Sequence, residues 1–94
     1  MNGISVSDII VSTAGHDRGK LFYVIRTEGA YALLVNGKDR KLEHPKRKSF
    51  KHLRLVTRIA SPTAAKLMRG ETVCNRELRR DLASCQALCQ DQGG

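Results

Sequence analysis

No apolar run in this chain is longer than six residues, and over the first sixty residues each run is cut short by a turn. Neither a membrane-spanning helix nor the apolar core of a signal peptide is therefore expected. Short runs rich in β-branched and aromatic residues, bounded by turns, are instead the mark of strands. Asp8–Ser12, Leu21–Ile25, Tyr31–Val35 and Leu53–Thr57 fit that description. Between the first two lies Gly15-His16-Asp17-Arg18-Gly19, two glycines bracketing three polar residues. Glu28-Gly29 marks a second turn. Asn36-Gly37 suits a type I′ hairpin, because both residues tolerate positive φ, and it predicts a short return strand over Asp39–Leu42. Strands at roughly ten-residue spacing predict a mainly β fold, a small antiparallel barrel over residues 1–60.

The pattern changes after Ser61. Ser61-Pro62 pairs an N-cap oxygen with proline in the first turn, and Gly70 stops the helix so begun. Asn75 is read as the cap of a second helix, in which Leu78, Leu82, Cys85 and Leu88 or Cys89 recur at spacings of three and four. Arg76, Arg79, Arg80, Asp81, Gln86 and Gln90 fall off that stripe. Residues 61–94 are thus expected to form one or two C-terminal helices that pack on the barrel or extend from it.

Charge is the first functional clue. The 94 residues hold 17 Lys and Arg against 9 Asp and Glu. Nine of the basic residues and only two of the acidic ones lie between Lys38 and Arg58. Such a concentration repels itself unless a polyanion relieves it. Pro45 restricts the segment, and the scarcity of carboxylates prevents internal neutralisation. If it contacts ~5–7 phosphates, the slope of log affinity on log salt is about −4 to −5. The aromatics are few, namely Phe22, Tyr23, Tyr31 and Phe50. Phe22 and Tyr31 sit in apolar runs and are expected to be core or half-buried, which leaves Phe50 as the one candidate for base stacking. Recognition by phosphate and shape, rather than by splayed bases, is the expectation.

Other chemistries find little material. His16, His44 and His52 are scattered, and no nucleophile–base set can be assembled from spacing, so no enzyme is expected. The Gly15–Lys20 turn lacks the spacing of a phosphate-binding loop that hydrolyses nucleotides. Cys74, Cys85 and Cys89 have no Cys-x-x-Cys spacing, so neither zinc nor any other cofactor is expected, and a reducing, cytoplasmic setting fits them.

The stretch Ile10–Ile25, with Gly15, Asp17, Gly19 and Lys20 in its turn, resembles a KOW motif, in which two strands flank a Gly-x-Asp-x-Gly-Lys turn. Leu34-Val35-Asn36-Gly37, the loop through Pro45-Lys46-Arg47-Lys48, and Phe50-Lys51-His52-Leu53 extend the resemblance to small KOW-domain RNA-binding proteins, which are similar to archaeal and eukaryotic ribosomal protein families. It covers residues 6–60. One departure is Phe22, where many KOW motifs carry a second glycine.

The resemblance implies an SH3-like barrel that binds RNA, ribosomal RNA first among candidates, through the turn and its basic neighbours. Gly15, Asp17 and Gly19 would shape the turn. Arg18, Lys20, Lys38, Arg40, Lys41, Lys46, Arg47, Lys48, Lys51 and Arg54 would be phosphate ligands, with His52 adding a hydrogen bond. A competing expectation is an SH3-like module that binds a protein partner of translation or transcription, through an apolar groove or the C-terminal helix, with little salt dependence. Attachment to anionic membranes is disfavoured, because the basic run carries few large apolar residues.

Overall fold

The computed structural model describes the backbone of residues 3–93 and the side chains of residues 3–87. Five antiparallel strands form one sheet: β1 (Ile9–Ser12), β2 (Leu21–Glu28), β3 (Tyr31–Val35), β4 (Lys46–Ser49) and β5 (Leu53–Thr57). Their spatial order is β4-β3-β2-β1-β5, which leaves β4 and β5 as edges, so the sheet is open rather than a closed barrel. A single 3-10 turn over Phe50–His52 joins the two edge strands. Two helices follow, α1 (Pro62–Arg69) and α2 (Asn75–Gly93).

Alternation of side chains along a strand sends neighbours to opposite faces of the sheet. Here both faces are covered. Ile9, Tyr23 and Val35 pack with Ala64 of α1 and with Leu78, Leu82 and Cys85 of α2. Their neighbours Ile10, Phe22, Val24 and Leu34 form a second cluster with Ile4 and Ala32, covered by Phe50 and Leu53. Two-sided burial is why β1, the first half of β2 and β3 read as unbroken apolar runs rather than as apolar–polar alternation. Burial of Leu78 and Leu82 is worth about 1.5–3 kcal/mol each, so α2 is part of the core and not an appendage. Cys85 is buried and reduced, as its place on the apolar stripe predicts; Leu88 and Cys89 lie outside the described side chains.

Ser61 caps α1 by accepting a hydrogen bond from the Ala64 amide, and Gly70 ends the helix at φ 72°. The Ser61 hydroxyl also donates to Asp81 at 2.9 Å, and the buried Tyr23 hydroxyl donates to the same carboxylate at 2.8 Å. Burial, opposed by Ser61 and reinforced by Asp81, pushes the Tyr23 phenol well above its ordinary range.

Besides the closed barrel, two expectations need correction. Residues 39–42 are not a strand; the strand that pairs with β3 is β4, drawn from the basic run. The physical reason is Asn36, whose side chain accepts from the Lys38 and Arg40 amides at 2.9 Å each and folds 36–40 into a wider loop. Gly37 has φ 75°, but Asn36 does not share the positive φ of a type I′ turn. Nor does Asn75 cap α2. Its Oδ1 accepts from the Leu42 amide at 2.9 Å, while Glu77 reaches back to the Cys74 amide at 3.2 Å.

Candidate functional site

The β1–β2 turn is where the basic segments converge. Gly15 and Gly19 both lie at positive φ, 78° and 87°, where an L side chain is strained. Gly19 donates to the Ser12 carbonyl at 2.8 Å, and Lys20 to the Asp17 carbonyl at 2.9 Å. Lys48 reaches the turn from β4, its ammonium 2.7 Å from Ser12 Oγ and 2.5 Å from the Ala14 carbonyl. On the other side, the Thr13 amide donates to the His52 carbonyl at 2.9 Å, and Arg54 stands opposite Val11 in the β1–β5 register.

Two ion pairs tie this turn to the loop after β3. Lys20 Nζ lies 2.5 Å from Asp39, and Arg40 Nη2 lies 3.4 Å from Asp17, whose carboxylate is almost fully buried. Lys20, and then Asn36, hold the Asp39 carboxyl down at about 2, while Asp39 raises the Lys20 ammonium. The loop in turn rests on α2: Arg79 donates to the Gly37 carbonyl at 2.7 Å, and Asn75 donates to Glu43 at 3.0 Å. A Cβ on Gly37 would meet the Asn75 carbonyl oxygen at 2.3 Å, so only glycine permits this approach.

Each carboxylate among the described side chains is already engaged. Asp8 holds Arg58, Asp17 holds Arg40, Glu28 lies near Arg26 and Arg47, Asp39 holds Lys20, Glu71 holds Arg69 and Glu77 holds Lys66. Glu43 accepts from Asn75, and Asp81 accepts from Tyr23 and Ser61. The exposed cations without a carboxylate partner among the described residues are Arg18, Lys38, Lys41, Lys51 and Arg54 and, on α2, Arg76, Arg79 and Arg80. Lys46 is half-buried and likewise unpaired there.

The residues singled out from sequence thus divide. Arg18, Lys38, Lys41, Lys51 and Arg54 are free to meet an anion. Lys20, Arg40 and Lys48 hold the turn and loop together, so their charge is spent within the chain. Arg47 lies over the Tyr31 ring, 4.0 Å from its centroid, and 3.9 Å from Glu28. His52 is half-buried. Phe50 is half-buried against the second core cluster, and the exposed ring is Tyr31, at 38%. Arg76, Arg79 and Arg80, whose position off the apolar stripe signalled exposure, are all exposed, and Arg79 reaches the loop after β3.

Among the described residues no group of three or more His, Cys, Asp or Glu is arranged to hold a metal ion. No described helix is long and apolar enough to cross a membrane. No protein-family model matches the chain, and no curated protein matches it either.

Proposed function

We propose that this protein binds structured RNA through its phosphate backbone, on the surface where the β1–β2 turn, the loop after β3 and the β4–β5 connection meet. The observation that carries the reading is the distribution of unpaired charge. With the described carboxylates all engaged, five of the exposed cations left over, Arg18, Lys38, Lys41, Lys51 and Arg54, lie on segments that converge at one turn. Releasing condensed counterions from a polyanion is the favourable process such a surface drives. The β1–β2 turn with its two positive-φ glycines is the part of the molecule that supports the KOW-type reading, here on an open five-stranded sheet. The resemblance of that turn makes ribosomal RNA the first candidate ligand and a link to translation the proposed setting.

A filter-binding titration over a range of salt tests this. The expected slope of log affinity on log salt is about −4, and replacing Arg18, Lys38 and Lys41 together by Gln reduces its magnitude by about 2–3. RNA binding that is absent, or that ignores salt, would refute the reading.

A further inference from the structure

A cleft of about 780 Å³ opens where the start of β2, the loop after β3 and α2 come together. Its volume lies within the ~300–1,000 Å³ of ordinary small-ligand clefts. Its apolar lining is Leu21, Leu82 and Ala83, of which Leu82 is buried and Ala83 exposed. Its polar lining carries an excess of positive charge. Lys20 and Asp39 line it too but neutralise each other at 2.5 Å. What remains is Lys38, unpaired among the described residues, and Arg79, which spends Nη1 on the Gly37 carbonyl and keeps its other donors. Gln86 adds a carboxamide with no partner among the described residues.

An occupant matched to this cleft has an apolar body, hydrogen-bonding groups and an attached anion. A base inside a duplex cannot offer its face, whereas a bulged or looped-out nucleotide can. We propose that the cleft takes one unpaired nucleotide of a bound RNA, its base against Leu21 and Ala83 and its phosphate between Lys38 and Arg79. This rests on the RNA-binding reading and deepens it: α2 becomes one wall of the binding surface, and the preferred target becomes a stem interrupted by an unpaired nucleotide.

The test compares two RNA duplexes of equal charge, one fully paired and one with a single-nucleotide bulge, by fluorescence anisotropy with the full chain. The bulged duplex is expected to bind about tenfold more tightly. Ala83→Met fills the cleft from an exposed position on α2 without changing charge and without offering an aromatic face on which a base could stack. It is expected to abolish that preference while leaving affinity for the paired duplex and the salt slope as in the native protein. Ala83→Leu, which reaches less far, is expected to give an intermediate loss and serves if the longer side chain disturbs folding. Equal affinity of the native protein for the two duplexes, or a preference that survives both substitutions, overturns the proposal and leaves phosphate recognition standing. Failure to bind either duplex removes the RNA-binding reading and this inference with it.

Discussion

Asp39 shows how one carboxylate can be a structural clamp inside a basic surface. Lys20 and Asn36 lower its pKa from 3.8 to about 2, so the folded state favours the ionised form. A depressed carboxyl contributes stability that is present above its unfolded pKa and is lost as pH falls through its folded pKa. The tie between the β1–β2 turn and the loop after β3 is therefore intact above pH ~4 and released toward pH ~2. NMR titration of the carboxyl is expected to show the low midpoint, and Lys20→Met to return it toward 3.8. An unchanged midpoint in that variant would show that the pair is not what holds it. Gly37 makes the complementary case through sterics. Gly29→Ala, at φ 57° with open space around it, is expected to cost about 1 kcal/mol of backbone strain alone. Gly37→Ala adds a collision with the Asn75 carbonyl and is expected to cost about 2–3 kcal/mol in urea unfolding. Equal losses for the two variants would mean that α2 is not seated on the loop.

At the scale of elements, the strands built on apolar residues were legible and the one built on charged residues was missed. β1, β2, β3 and β5 carry Ile, Val, Leu, Phe and Tyr in numbers that leave no other reading. β4 is Lys46-Arg47-Lys48-Ser49, which has no strand propensity to read. Its conformation comes from pairing along β3, with Leu33 opposite Arg47 and Ala32 opposite Lys48, a long-range interaction that no local pattern encodes. Charged residues on an edge strand also protect it from pairing with another chain. The same distinction holds for the interface. The glycine turn and the excess of lysine and arginine were legible, but which cations are spent internally was not, because the pairs Lys20–Asp39 and Arg40–Asp17 span long sequence separations. Lys48 is the sharpest example, three residues of identical character in a row having different roles. Lys48→Met keeps the aliphatic stem and removes the ammonium from Ser12 and Ala14, with an expected loss of about 1–2 kcal/mol. Lys46→Met is expected to change stability by less than about 0.5 kcal/mol. Matching thermal melts for the two variants would contradict this division.

For the molecule as a whole, the unpaired cations bear on stability as well as binding. The described residues span 35 × 28 × 24 Å. At ~0.01 M salt the screening length is about 30 Å, so every surface charge acts on every other; at ~1 M it is about 3 Å and only neighbours interact. A formal net charge of +8 therefore opposes folding at low salt and much less at high salt. Replacing Arg18, Lys38 and Lys41 by Gln removes repulsion without removing any ion pair. It is expected to raise the melting temperature at low salt, with the gain vanishing as salt is added. Arg40→Gln removes a charge too, but leaves the buried Asp17 carboxylate without its partner. It is expected to lower the melting temperature at every salt concentration, because loss of a buried group's partner is not repaired by screening. Melting curves of the two variants across salt separate the cations that hold the fold from those left over for a ligand. If the triple variant were destabilised in parallel with Arg40→Gln, the exposed cations would be holding the fold, and no reserve of charge would remain for RNA.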